Sequence, residues 1–75
     1  MIHRIEVILL NSKQPELTEH YSAFTIALNR FNQLAVHYGV TDSIFCEDVN
    51  CYAGGIEHPV LICLESITDN LNDYE

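Results

Sequence analysis

Three cysteines and one histidine in the second half of the chain are spaced so that they could bind a metal ion. They are Cys46, Cys51, His58 and Cys63, in the pattern C-x4-C-x6-H-x4-C. Thiolate and imidazole are the ligands that tetrahedral zinc prefers. A free cysteine, however, is also among the residue types most often buried, where it packs as a small apolar side chain. We favour packing in the core and predict no metal and no cofactor.

The order Cys, Cys, His, Cys resembles a retroviral-type zinc knuckle over about eighteen residues. A knuckle has tighter spacing between its first three ligands and carries basic residues for RNA. This stretch is acidic, and Cys63 falls within a predicted strand. The resemblance implies a small zinc-binding module, which we keep as an alternative interpretation.

The cysteine count and the missing catalytic motifs bear on compartment and activity. Three cysteines are an odd number, and the chain shows no export signal, so we expect reduced thiols and a cytoplasmic location. Its longest apolar run is far shorter than a membrane span. The four histidines are scattered, and no nucleotide, nucleophile or metal-hydrolase motif is present. We therefore predict a protein that is not an enzyme.

Charge is distributed very unevenly along the sequence. All three Lys and Arg residues (Arg4, Lys13 and Arg30) lie in the first thirty positions, whereas eight of the eleven carboxylates follow residue 40. The formal net charge of −8 is therefore concentrated in the second half. Such a surface repels nucleic acid and anionic membranes and attracts basic protein surfaces.

Carboxylates spaced four residues apart give the sharper hypothesis about a binding site. If the C-terminal tail is helical, Glu65, Asp69 and Asp73 form a column with steps of roughly 6 Å, similar to the phosphate spacing of one nucleic-acid strand. Such a column could occupy a groove meant for DNA or RNA. The alternative is a solvated acidic face that only maintains solubility. The predicted partner-binding residues are Glu47, Asp48, Glu57, Glu65, Asp69 and Asp73.

Hydrophobic periodicity predicts the elements that position these residues. Residues 2–10 are rich in β-branched and aliphatic side chains and predict a strand. Apolar residues then recur at steps of three and four from Leu17 to Tyr38, and Pro15 suits a first helical turn. The pattern predicts one amphipathic helix of about 23 residues that Gly39 terminates.

The remaining segments predict a β-hairpin and an acidic tail. Residues 43–53 and 59–64 are strand candidates, and Gly54 and Gly55 supply the turn between them. The polar pair Glu47 and Asp48 predicts a bulge or a break in the first of these strands. Residues 66–75 predict a short helix or a frayed end.

We therefore predict a single α+β domain over residues 1–75, with one long helix on a three-stranded sheet in the order β-α-β-β. One helix cannot cover both sheet faces, so the apolar residues Ile8, Leu10, Leu61 and Cys63 are expected to point away from it. An uncovered apolar face of this kind usually marks a partner surface or a homodimer.

Three functional hypotheses follow from this layout. The first is a small acidic inhibitor or regulator that binds a basic surface of a larger nucleic-acid-handling protein or complex, as a nucleic-acid mimic. In size, charge and layout the chain is similar to small phage-encoded anti-CRISPR and anti-restriction proteins, although no motif carries that similarity. The second is a homodimeric adaptor that binds through its open sheet face and through Tyr21 and Tyr52. The third is the zinc module.

Overall fold

The computed structural model describes residues 1–55 and 58–67 of the chain. The described part contains one α-helix, a short 3-10 turn at Thr41–Ser43 and a five-stranded antiparallel sheet. Along the chain the elements are β1 (Ile2–Leu9), β2 (Leu17–Tyr21), α1 (Phe24–Tyr38), β3 (Ile44–Glu47), β4 (Asn50–Gly54) and β5 (Val60–Ile67). In the sheet the strands lie in the order β2-β1-β5-β4-β3.

The core lies between α1 and one face of the sheet. Every second side chain of the central strands β1 and β5 is buried, as expected for a sheet covered on one side. The register places Ile5 opposite Leu64 and Val7 opposite Ile62. From the helix, Phe31 packs fully buried against this layer. The other buried apolar residues are Ala27, Leu34, Ala35, Val40, Cys51, Ala53 and Val60.

The α+β class is confirmed, but the predicted three-stranded sheet and the β-α-β-β order are wrong in detail. Residues 17–21 form β2, an edge strand paired with β1, so α1 begins at Phe24 and has 15 residues. The residues Leu17, Glu19 and Tyr21 alternate toward the helix side, a period of two that steps of three and four also fit over so short a window. His20, predicted on the apolar side of a helix, instead lies exposed on β2.

The second predicted strand is also two strands rather than one. Residues 43–53 divide into β3 and β4, because Asp48 and Val49 form a tight turn between Glu47 and Asn50. Asp48 adopts a positive φ of 56°, a conformation that Asp tolerates better than most residues because its short side chain can hydrogen-bond locally. Of the two predicted alternatives, the break is confirmed and the bulge is wrong, because the strand is interrupted by a hairpin turn.

Gly39 has the role that the sequence predicts, whereas Gly54, predicted in a turn, is a strand residue paired with Leu61. Gly39, with a φ of 71°, closes α1: its N–H donates to Val36, and the N–H of Val40 donates to Ala35. Gly54 is the last residue of β4 and has a φ of 93°. A Cβ atom there would overlap the carbonyl oxygen of Val60, so only glycine permits the close approach of β4 and β5.

An ion pair ties the edge strand β2 to the helix. Arg30 donates from Nε to Glu19 Oε1 at 2.9 Å and from Nη2 to Oε2 at 3.1 Å. The hydroxyl of Tyr21 donates to the same carboxylate at 2.6 Å. The Arg30 hydrogen bonds, followed by that of Tyr21, lower the pKa of Glu19 and favour its charged form. The same contact raises the pKa of Tyr21.

Replacing Glu19 with glutamine is expected to reduce the free energy of unfolding at pH 7 by about 1 kcal/mol, since a bidentate ion pair is lost. Because folding lowers the pKa of Glu19, its contribution is present above the unfolded pKa of about 4.3 and is lost progressively as the pH falls from there through the lower folded pKa. Urea denaturation of the wild-type protein and the variant at pH 7 and pH 3 measures the loss of stability and its dependence on pH. The exposed Glu16→Gln variant is the control. An equal loss of unfolding free energy at both pH values would contradict a stabilising ion pair between Glu19 and Arg30.

Candidate partner-binding surface

The sheet face opposite α1 carries the side chains that alternate with the buried ones, and we call it the open face. No helix or strand in the described part of the chain covers it. As predicted, Ile8, Leu61 and Cys63 point to this side, whereas Leu10 lies just beyond β1 and is exposed. The open face comprises Thr18, His20, Ile2, Arg4, Glu6, Ile8, Leu61, Cys63, Glu65, Ile67, Asn50, Tyr52, Phe45 and Glu47.

Arg4 lies at the centre of the open face between two carboxylates. Its Nη2 donates to Glu65 Oε1 at 3.2 Å, and its Nε lies 3.7 Å from Glu6 Oε1. That Nε is buried and makes no hydrogen bond within the described residues. Arg4 is therefore already neutralised by its neighbours, and with Glu47 added the carboxylates of the open face outnumber its guanidinium. The formal charge of this face, counted over Arg4, Glu6, Glu47 and Glu65, is therefore negative.

Tyr52 and Cys63 complete the centre of the open face. The hydroxyl of Tyr52 donates to Glu65 Oε2 at 3.2 Å. Burial, together with this hydrogen bond, raises the pKa of Tyr52. Burial, followed by the charges of Glu65 and Glu6, raises the pKa of Cys63 to about 11. Cys63 therefore remains a neutral thiol at pH 7, the form that is neither nucleophilic nor ready to ligate a metal.

The β3–β4 hairpin is the most exposed acidic feature that the structure describes. Glu47 and Asp48 occupy its tip, and all four residues of β3 are exposed. Phe45 presents 61% of its surface to solvent at the rim of the open face. At the start of the hairpin, the side chain of Asp42 is 75% exposed and its Oδ1 lies 3.7 Å from His58 Nε2. The hairpin thus combines carboxylates with one large aromatic side chain.

The structure describes three of the six predicted partner-binding residues. Glu47 and Asp48 lie together at the hairpin tip, and Glu65 lies on the open face with its carboxylate engaged by Arg4 and Tyr52. The predicted helical column starting at Glu65 is wrong at its first member, because Glu65 belongs to β5, which continues to Ile67. The other predicted residues (Glu57, Asp69 and Asp73) lie outside the described residues.

Sequence reasoning missed Glu6 and Phe45 as members of this surface. The sequence did contain a signal for Glu6, because the alternation of side chains in the predicted strand at residues 2–10 places it on the face away from the core. For Phe45 no signal existed, since its outward position depends on the division of residues 43–53 into two strands. Aromatic side chains beside charged groups are frequent anchors of protein interfaces.

The proposed zinc ligands do not come together. Cys46 and Cys51 are direct cross-strand neighbours, with Cα atoms 4.0 Å apart, and their sulfur atoms form a disulfide. Cys63 is free and faces the opposite side of the sheet from Cys51. Residues 1–55 and 58–67 contain no group of three or more potential metal ligands. The prediction of reduced thiols is therefore wrong for Cys46 and Cys51.

Comparison with protein-family models, with curated proteins and with solved structures gives no match. No helix in the described ranges has the length and apolar character needed to cross a membrane.

Proposed function

We propose that this chain is a non-enzymatic binding protein that docks its open face and acidic hairpin on a basic surface of a larger protein. One observation carries the proposal: Glu6, Glu47, Asp48 and Glu65 lie on a surface that no described element covers, and Phe45 is exposed at its rim. Opposite charges steer the encounter and fix the register, whereas an aromatic anchor contributes contact area.

The class of partner is inferred from the charge. Basic surfaces that attract a strongly negative protein are typical of proteins that handle nucleic acid, because those surfaces exist to neutralise phosphates. The net charge of −8 and the absence of Lys and Arg after residue 30 favour such a target. The chain would then act as an inhibitor or regulator that competes with nucleic acid, as the similarity in size and charge to anti-CRISPR and anti-restriction proteins implies.

This function belongs in a cytoplasm, where proteins that handle nucleic acid act. A disulfide there is exposed to reduction, so in that compartment the Cys46–Cys51 bond would be subject to reduction to two thiols. Binding should therefore be measured both with and without a reductant. In either state, pairing of β3 with β4 and the hydrogen bond from Gly54 N–H to Ser43 Oγ at 3.0 Å hold the hairpin in place.

A homodimeric adaptor is the second candidate, because apolar side chains of the open face, including Ile8 and Phe45, are available for a contact between copies. Tyr21, which that hypothesis placed in the contact, instead lies on the helix side and donates to Glu19. A dimer formed through this face would bring the carboxylates of both copies together. Its formation should therefore respond little to salt or strengthen as salt screens the repulsion.

The test is capture of partners on the immobilised chain from nuclease-treated bacterial lysate, in buffers of about 0.05 M and 0.5 M salt. A basic nucleic-acid-binding protein should be retained at low salt and released at high salt. The purified captured protein should also be displaced by duplex DNA or by RNA, because both ligands would occupy one basic surface. Retention that survives both high salt and the nucleic-acid competitor would contradict the proposal.

A further inference from the structure

The outer edge of β3 has backbone groups available for pairing. β3 is an edge strand, and within the described residues no strand lies beyond it. A two-residue turn makes Glu47 and Asn50 the closing pair of the hairpin, so Glu47 and Phe45 direct their backbone groups toward β4. The N–H and C=O groups of Ile44 and Cys46 therefore point away from the sheet.

The two edges of the sheet differ in how they are protected. On β2, the inward-pointing Glu19 binds Arg30 of the helix, and inward-pointing charges are a common way to block edge pairing. β3 has no lysine, no proline and no bulge within its four residues. Its shortness and the charge of Glu47 limit pairing, but no inward-pointing charge blocks it, so β3 is the edge that can accept a strand of opposite charge.

β3 is held in an extended conformation although it buries none of its side chains. Near its end, the disulfide joins Cys46 to Cys51. Before its start, Ser43 Oγ accepts from the Gly54 N–H and donates to the Val40 carbonyl at 3.2 Å. A strand fixed in this way loses little conformational entropy when a partner strand pairs with it.

The charge around β3 selects the kind of partner. Asp42, Glu47 and Asp48 surround the strand, and no Lys or Arg occurs in the chain after residue 30. A second copy of this chain would bring equal negative charge to the same edge. An extended segment that carries lysine or arginine at alternate positions would instead place its cations beside Glu47 and its intervening side chains beside Ile44 and Cys46.

We propose that β3 binds an extended basic segment of the partner as a sixth strand of the sheet. Main-chain hydrogen bonds to Ile44 and Cys46 would supply affinity, and the acidic side chains would supply selectivity. The inference rests on the proposed function, since it specifies which segment of the basic partner the acidic hairpin contacts.

The probe is an acetylated, amidated peptide of sequence Lys-Val-Lys-Val-Lys-Val, compared with the same peptide N-methylated at its third and fourth residues. Methylation removes backbone donors on both edges of the peptide and leaves its charge unchanged. We expect the methylated peptide to bind the disulfide-intact protein at least about fivefold more weakly, as the loss of about one hydrogen bond implies. The amides of Ile44 and Cys46 should become protected from hydrogen exchange when the unmodified peptide binds.

A matched pair of variants tests the same point from the protein side. Ile44 has a φ of −84°, close to that of proline, so the proline ring fits at this position and Ile44→Pro removes the outward N–H. Proline disfavours a helical conformation in the residue before it, and Ser43 lies in the 3-10 turn, so hydrogen exchange of the Gly54 amide, which donates to Ser43 Oγ, checks that the hairpin is retained. Ile44→Val keeps that N–H. We expect Ile44→Pro to weaken peptide binding about fivefold and Ile44→Val to leave it unchanged. Circular dichroism of both variants confirms that the fold is retained.

Four results would overturn the inference. They are absence of binding by the unmodified peptide, equal binding of both peptides, protection of the Ile44 and Cys46 amides already in the free protein, and a dimer in sedimentation that Ile44→Pro dissociates. Equal binding of both peptides would leave the acidic surface as a purely electrostatic site, so the proposed function would survive. The salt-dependent capture experiment tests the proposed function separately, so its outcome does not depend on the peptide results.

Discussion

Replacing Glu47 and Asp48 with lysine is expected to weaken binding to the basic partner at least about tenfold. Both side chains are exposed at the tip of the hairpin, so each reversal exchanges an attraction of up to about 1 kcal/mol for a repulsion of similar size. The core should be unaffected, because neither side chain is buried. Lysine tolerates the positive φ of Asp48 less well than Asp does, so circular dichroism of the variant checks that the fold is retained. The measurement is a titration of the variant against the captured partner at low salt.

A control variant separates local contact from overall charge. Asn11, Gln14 and Glu16 are exposed in the connection between β1 and β2, which lies at the opposite end of the sheet from the hairpin tip. Converting all three to lysine changes the net charge by the same amount as the hairpin variant. We expect the control to bind nearly as tightly as the wild-type chain. Equal weakening in both variants would show that no particular surface carries the contact.

Replacing Phe31 with alanine is expected to unfold the protein. Phe31 is completely buried between α1 and the sheet, and truncation of such a residue costs about 3–5 kcal/mol. A domain of this size rarely has more than about 3–5 kcal/mol of stability from its core. Urea titration followed by circular dichroism should therefore show no cooperative transition for Phe31→Ala at 25 °C.

Val36→Ala is the matched control on the same helix. Val36 is 69% exposed, so its truncation removes little buried surface and should change the free energy of unfolding by less than about 0.5 kcal/mol. A Phe31→Ala variant that unfolds within about 1 kcal/mol of the wild-type protein would show that α1 does not pack on the sheet as described.

The sequence predicts the elements whose pattern is unambiguous. The strand at residues 2–10, the end of the helix at Gly39 and the strand that follows Gly55 all agree with β1, α1 and β5. The edge strand β2 was not predictable from periodicity, because Leu17 and Tyr21 fit one face of a strand and also fit a helical stripe that continues to Phe24. Pairing of residues 17–21 with β1 favours the strand over the helix, and this pairing cannot be read from the sequence pattern.

The candidate site was predictable in its charge and only partly in its geometry. Clustering of carboxylates after residue 40 correctly placed Glu47 and Asp48 on the surface. The contacts of Glu65 depend instead on the pairing of β1 with β5, which brings Arg4 beside it across 61 residues of sequence. The Cys46–Cys51 bond likewise depends on a hairpin turn at Asp48 that was interpreted as an irregular strand.

The most direct test of the account is the salt dependence of Kd for the purified partner, measured for the wild-type chain and for the variant with lysine at positions 47 and 48. The account predicts that the wild-type affinity falls steeply as salt rises from about 0.05 M to 0.5 M, and that the variant shows a shallower slope. A wild-type affinity that does not change over this range would contradict the central claim, because binding would not depend on the acidic surface.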